Sequence, residues 1–329
     1  MARAWHLISR PEALPTPGNF ALREYALPEL GDDMVHVRNL FLSVDPYMRG
    51  RMNEAKSYIP PFALDAPMEG GALGEVVGSN ADGFPTGELV VHMASWRDQA
   101  VLPAKALQKA PRIPGVEPQA FLGILGMTGA TAYFGLLDAA RAREGDRVFV
   151  SAAAGAVGSA VVEMAKAKGM TVIGSARGKR KCDLVASLGA DATIDYTAGP
   201  VLTSLREAAP EGIDVYFDNV GGDHLDAAFA RARLNARFAL CGMIGGYNGR
   251  EAASFRYIIR VIAMRITVRG FLYGDYVPRL GEFYAEVGAW VASGKVKSHQ
   301  TIADGLEAAP DAFLGLFSGA NTGKMLVRV

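Results

Sequence analysis

The run Ser151-Ala152-Ala153-Ala154-Gly155-Ala156-Val157-Gly158-Ser159 is made of small residues. It stands between a strand-like segment, Arg147-Val148-Phe149-Val150, and a helix-like one, Val161 to Lys168. Small residues at a strand-to-helix turn let the backbone approach a pyrophosphate, which free N–H groups and the helix dipole then hold. The pattern is a variant of the dinucleotide fingerprint, with Ala153 where the first glycine usually sits. Such turns also occur where a helix merely packs close to a strand, and the next strand narrows the choice. Thr171-Val172-Ile173-Gly174-Ser175 ends without the carboxylate that would hold a ribose 2′-hydroxyl and runs into Arg177-Gly178-Lys179-Arg180-Lys181. A missing carboxylate and a group of cations suit a 2′-phosphate, so the reading is NADP(H) rather than NAD(H); the alternative is a solvated basic loop. The cofactor-facing residues of this reading are Ala154, Gly155, Ala156, Val157, Gly158, Ser175 and Arg177.

Other chemistries find little support. A catalytic zinc needs Cys and His ligands, and a structural zinc needs four closely spaced Cys. The chain has 2 cysteines, Cys182 and Cys241, and none before them, while His6, His36 and His92 are far apart in sequence. No metal is expected, and His224 and His299 receive no role. Ser151 belongs to the phosphate turn, and no nucleophile arrangement is supported by the spacing. Asp45 precedes Pro46, which restricts it to an extended conformation, so it reads as a turn residue. Glu69, before Gly70-Gly71, reads as a carboxylate that anchors backbone.

The elements that must position these residues follow from texture and period. The chain has 329 residues, enough for two domains, with 50% hydrophobic residues and a formal net charge of zero. That balance gives no footprint for nucleic acid or an anionic membrane. No apolar run reaches the roughly 20 residues of a membrane helix, and the N-terminus lacks a signal-peptide pattern. Two cysteines suit a reducing compartment, so a soluble cytoplasmic protein is expected. Up to about Pro114 short apolar runs are broken by Gly, Pro and Asp, which predicts an antiparallel, barrel-like β unit. From Pro118 to Arg143 the spacing is helical, with a break at Gly126 to Gly129. Strands are then predicted at 147–151, 171–175, 192–195, 213–218, 237–241 and 266–272. Helices lie between them at 157–169, 179–188, 200–209, 222–233 and 254–264. This alternation predicts an α/β unit with a doubly wound, Rossmann-type parallel sheet. A helix (279–293), strand (296–302), helix (304–318) and strand (324–329) follow, and this tail is expected to return to the first domain.

The chain resembles a known family. Leu42-Ser43-Val44-Asp45-Pro46-Tyr47-Met48-Arg49-Gly50-Arg51-Met52 is similar to a signature of the zinc-independent medium-chain dehydrogenases/reductases. The resembling group holds prostaglandin/leukotriene reductases, plant alkenal double-bond reductases and bacterial curcumin reductase. The segment Gly126 to Leu136 resembles the family's stretch before the fingerprint, with Thr128 where Pro is usual. Phe217-Asp218-Asn219-Val220-Gly221-Gly222 and Asn321-Thr322-Gly323-Lys324 match as well, so the resemblance spans essentially the whole chain in order. It implies a GroES-like β-barrel catalytic domain, 1–120 with 295–329, around a Rossmann domain, 121–294, and a homodimer.

The resemblance also implies roles. Lys181 and Tyr196 take the positions that contact the adenosine 2′-phosphate, and Asn321 lies near the pyrophosphate and nicotinamide ribose. Met127 and Thr128 line the nicotinamide pocket. Asn219, Cys241, Gly242, Ile244, Tyr247, Phe271, Leu272 and Tyr273 follow strands that carry cofactor contacts, although core packing is the competing reading for Phe271 and Leu272. Tyr47 and Tyr273 are implied near the substrate, both projecting into a cleft between the domains, with Tyr247 as a third candidate. The implied chemistry is reduction of the C=C bond of α,β-unsaturated ketones or aldehydes by hydride attack on the β-carbon, the phenols donating to the developing enolate. A quinone reductase on the same scaffold, or an idle NADPH-binding or sensing protein, would keep the same cofactor residues.

Overall fold

The structure, a computed structural model, describes residues 1–55, 57–249 and 254–329. Lys56 and residues 250–253, which belong to the loops 53–66 and 247–255 expected to shape the pocket, lie outside the described residues. The chain divides into two compact units. One comprises Met1–Leu122, Gln300–Asn321 and Met325–Val329, and the other Gly123–His299 and Thr322–Lys324.

The first unit opens with strands β1 (Ala2–Leu7), β2 (Phe20–Tyr25) and β3 (Met34–Ser43) and the single helical turn α1 (Met48–Arg51). Strands β4 (Ala72–Ser79), β5 (Leu89–His92), β6 (Gln99–Pro103) and β7 (Gln108–Lys109) follow. β1 and β2 form an antiparallel ribbon, and β3 pairs antiparallel with both β4 and β6. Val35 and Val37 alternate along β3 and are buried with Val76 and Val90, while Leu42, past a register shift, joins the other core cluster. Burying one face of a strand in this way fixes its register, since a slip of one residue would turn the buried set outward. Phe20, Met48, Met52, Phe62 and Trp96 join the core of this unit.

The second unit begins with a turn at 123–126 that leads into α2 (Met127–Phe134), followed by a π-helical turn at Gly135–Ala139. Residues 127–129, expected as a break, are helical. A Cβ at Gly129 would lie 1.9 Å from the Ile124 carbonyl oxygen, so this glycine is required by close backbone approach rather than by a turn. The parallel sheet is built of β8 (Arg147–Val150), β9 (Thr171–Ala176), β10 (Ala192–Asp195), β11 (Ile213–Asp218), β12 (Ala232–Leu240) and β13 (Thr267–Gly270). Their spatial order is β10-β9-β8-β11-β12-β13, the doubly wound arrangement that was expected. Helices α3 (Ala156–Ala167), α4 (Gly178–Ser187), α5 (Val201–Ala208) and α6 (Gly222–Arg231) make the first crossovers. The helix expected at 254–264 is only the turn α7 (Arg260–Ala263). Local ties take its first residues away from a helical ladder: the Tyr257 N–H donates to Asp226 at 2.9 Å, and Phe255 meets the Phe229 ring edge-on.

After α8 (Leu280–Ala292), the strand expected at 296–302 is β14 (Gln300–Asp304), and the chain ends with α9 (Ala309–Ser318) and β15 (Lys324–Arg328). β14 and β15 extend the sheet of the first unit, β15 pairing antiparallel with β3.

Candidate functional site

The turn after β8 is shaped for close backbone approach. Ala152 takes φ 48°, a left-handed conformation uncommon outside glycine, and the Gly155 N–H donates to its carbonyl at 2.9 Å. A Cβ at Gly158 would stand 2.2 Å from the Ala152 oxygen and 2.8 Å from the Ala153 Cα, so no larger residue fits the first turn of α3. Gly174 on β9 is as tight, since its Cβ would fall 2.8 Å from the Ala153 Cβ. The Gly323 N–H donates to the Ala154 carbonyl at 2.8 Å, which anchors the terminal Thr322–Lys324 segment on the same turn. Ala154 is buried, whereas Gly155, Ala156 and Val157, at the start of α3, are partly open.

The C-terminal end of β9 leads into the basic loop. Arg177 is exposed, and its Nε reaches the Tyr196 hydroxyl at 3.4 Å. Lys181 is half-buried, and burial, followed by the neighbouring charges of Arg180 and Arg177, holds its ammonium below the usual lysine range. Among the described residues neither Arg177 nor Lys181 has a carboxylate partner, so these cations repel one another in a way that an anion would relieve. The Ser175 hydroxyl is buried there without a hydrogen-bond partner. Lys179 departs from the expected cluster. Its ammonium is 86% exposed and pairs with Asp183 at 2.7 Å, one helical turn on. Spacing alone did not single out Asp195, whose carboxylate accepts the Gly178 N–H at the start of α4 and thereby fixes the loop that carries Arg177.

Beyond β11 and β12 the expected residues again converge. The Asn219 amide donates to the Ser151 carbonyl at 2.7 Å. The Cys241 and Gly242 N–H groups both donate to the Asp218 carbonyl, and the Ile244 N–H donates to that of Asn219. The Tyr247 hydroxyl folds back to accept the Met243 N–H at 3.4 Å, within 3.0 Å of where a Gly242 Cβ would be. The Cys241 thiol is pushed up to about 12, by burial first and by Asp218 second, so it remains protonated and unreactive at neutral pH. The Phe271 ring lies against Phe217 and Tyr276 and is core packing. Leu272 is 39% exposed and is not. Tyr273 starts the 3₁₀ segment Tyr273–Arg279, and burial raises its phenol. Met127 is partly open and Thr128 buried at the start of α2.

Tyr47 belongs to the first unit and immediately precedes α1. Its hydroxyl is buried without a hydrogen-bond partner, and burial, reinforced by Asp45, pushes it well above the usual tyrosine range. It is therefore a protonated, unspent donor. Glu69, expected to anchor backbone, instead pairs with the buried Arg51 guanidinium at 2.7 Å. Arg51 also stacks over Phe62 at 4.0 Å, and a cavity of about 500 Å³ is lined by these three residues with Ile59, Pro60 and Met93. Asp45 accepts the Ser43 hydroxyl, in keeping with its reading as a turn residue. Asn321 ends the 300–321 segment of the first unit.

His6 and His92 are buried, His36 meets Gln99, His224 is buried against Tyr196, and His299 meets the buried Glu163 at 3.2 Å. Among the described residues no three His, Cys, Asp or Glu side chains gather as a metal site.

Comparison with known proteins places the chain among oxidoreductases. A family model described as the N-terminal domain of oxidoreductase matches residues 3–110, and one described as zinc-binding dehydrogenase matches residues 156–292. The NADPH-dependent curcumin reductase of Escherichia coli is 39% identical over 99% of this chain and 96% of its own length. The NADP(+)-dependent 2-alkenal reductase of Nicotiana tabacum is 40% identical over 92% of this chain and 89% of its own. The crystal structure of CurA from Vibrio vulnificus in complex with NADPH superposes with a TM-score of 0.95, at 40% identity and 99% coverage of both chains.

Proposed function

This chain belongs to the zinc-independent medium-chain dehydrogenase/reductase group, and from that membership we propose that it is an NADPH-dependent reductase of the C=C bond of α,β-unsaturated ketones and aldehydes. The observation that carries the cofactor choice is the unpaired cation pair Arg177 and Lys181 beside Tyr196, at the end of a β9 that offers no carboxylate. The turn residues fit the rest of the dinucleotide, since Gly158 lets the first turn of α3 pack directly on the Ala152–Ala153 backbone and α3 begins where a pyrophosphate is best held.

Bound NADPH supplies the hydride for the β-carbon of the substrate. The protein would hold its adenosine 2′-phosphate with Arg177, Lys181 and Tyr196, and its pyrophosphate with the N–H groups of Ala156 to Gly158, at the start of α3 and beside Gly155. Met127, Thr128, Asn219, Cys241, Gly242, Ile244, Tyr247, Leu272 and Asn321 contribute to the remaining cofactor contacts. Charge builds on the substrate carbonyl oxygen as an enolate, and a phenol that keeps its proton at neutral pH is a suitable donor. Tyr47 meets that description, with Tyr273 as the second donor. On this reading the first unit, Met1–Leu122 with Gln300–Asn321 and Met325–Val329, is the substrate domain, and the second, Gly123–His299 with Thr322–Lys324, is the cofactor domain.

A cytoplasmic homodimer completes the proposal. β13 is a sheet edge with all of its residues exposed, and Ile258, Ile259, Ile262, Leu272 and Val277 are exposed in the segments flanking it. An uncovered edge strand flanked by exposed apolar side chains favours pairing with a second copy. Light scattering of the purified protein tests this, and a strict monomer overturns it.

The activity is tested by NADPH oxidation with a simple enone, with a quinone and without acceptor, together with product analysis. The expected product has a saturated C=C bond and an intact carbonyl. Turnover of the quinone alone would replace this reading with quinone reduction, and NADPH binding without turnover would leave only a binding protein.

A further inference from the structure

At the C-terminal ends of the two central strands, β8 and β11, lies a buried polar network. The Ser151 hydroxyl donates to Asp218 Oδ1 at 3.2 Å and accepts the Asn219 N–H at 2.8 Å. The same Oδ1 accepts the Tyr216 hydroxyl at 2.7 Å, the Val220 N–H at 2.9 Å and the Gly221 N–H at 2.8 Å. Asp218 is fully buried, and its Oδ2 has no hydrogen-bond partner. Burial pushes the carboxyl above the usual aspartate range despite the donors around Oδ1.

A buried carboxylate with no cation beside it is a costly way to stabilise a core, where apolar residues of similar volume do as well or better. Its geometry indicates what it achieves. It ties the loop after β11 to the turn after β8, and its own backbone carbonyl receives the first two N–H groups beyond β12. Strand order reverses between β8 and β11, and ligands of open α/β sheets cross at that reversal. The cationic cluster lies on the β9 side of the crossing, so the nicotinamide half of the dinucleotide lies on the β11 and β12 side.

We propose that Ser151 and Asp218 are positioning residues that lock the Asn219–Gly222 loop to the phosphate turn, and so preform the nicotinamide half of the cofactor site while leaving the adenosine half independent. The proposal rests on the NADP(H) reading above. Preforming the loop removes an ordering cost that would otherwise be charged to binding.

The test compares two ligands by titration calorimetry: NADPH, and adenosine 2′,5′-bisphosphate, which carries the 2′-phosphate end without the nicotinamide half. Ser151→Ala is expected to weaken NADPH roughly tenfold, the scale of one hydrogen bond to a charged group, and to leave the bisphosphate within about twofold of the parent. Tyr216→Phe keeps the ring stacked on Phe149 and removes one donor from Asp218, so a smaller loss for NADPH alone is expected even if Ser151→Ala does not fold. Parallel loss of both ligands, or unchanged NADPH affinity in the folded variants, would overturn the lock. A parent protein that binds neither ligand would overturn the cofactor reading and the lock with it, whereas a parent that binds both confines any failure to the lock.

Discussion

His224 offers a prediction whose size follows from its surroundings. The ring lies in the first turn of α6, stacked on Phe149 and edge-on to Tyr196 at 5.2 Å, with its Nε2 buried and unpartnered. Burial lowers its pKa from 6.5 to about 4, against a small opposing effect of Asp223. The folded protein therefore holds His224 neutral in a range where the unfolded chain would protonate it. Stability is full above the unfolded value of 6.5, falls as the pH drops below it, and stops falling below about 4. The whole gap corresponds to roughly 3 kcal/mol, of which about 2 kcal/mol is lost by pH 5. The assay is urea unfolding of the parent and of His224→Leu at pH 7.5 and pH 5.0. Only the difference between the two pH values within each protein is compared, so a packing change caused by the substitution cancels. The parent should lose about 2 kcal/mol more than the variant on acidification. Equal losses in both proteins would refute the reasoning and show that His224 already finds a partner for its charged form.

Four further predictions concern the site. Lys181→Ala should weaken NADPH about ten- to hundredfold in fluorescence titrations and leave NADH almost unchanged, whereas equal loss for both would make the lysine structural. Gly158→Ala would set a Cβ 2.2 Å from the Ala152 oxygen, so both melting temperature and NADPH affinity should fall, by roughly 1–3 kcal/mol in stability; an unchanged melting curve would contradict the packing described. Steady-state kinetics of Tyr47→Phe, Tyr273→Phe and the double variant should show about a tenfold or greater loss in turnover with an enone at unchanged NADPH binding. A double variant as fast as the parent would reduce both residues to aromatic wall. Dialysis against a strong chelator should leave activity intact, and stoichiometric zinc lost together with activity would sink the metal-free mechanism.

The amino-acid sequence by itself determined the parts of this protein that are encoded by near neighbours. The alternation of apolar runs with helical spacing was enough for six parallel strands in a doubly wound order, because each strand and crossover helix carries its own period and turn residues. The tight small-residue turn after β8 and the basic loop after β9 were legible for the same reason, since a glycine such as Gly158 and a missing carboxylate after Ser175 are local facts. Motif resemblance named the residues around Asn219, Cys241 and Tyr247 but not what holds them. Tertiary structure decided the pairings. Lys179 looks like a phosphate ligand until Asp183 takes its charge, and Glu69 looks like a backbone anchor until Arg51 is buried beside it. Gly129 looks like a helix breaker until the Ile124 carbonyl is packed against it, and Asp218 is one letter of a motif until Ser151, Tyr216, Val220 and Gly221 converge on a single oxygen. Charge compensation, close backbone approach and buried hydrogen bonds depend on residues distant in sequence, and a one-dimensional pattern carries no information about which of those distant groups will meet.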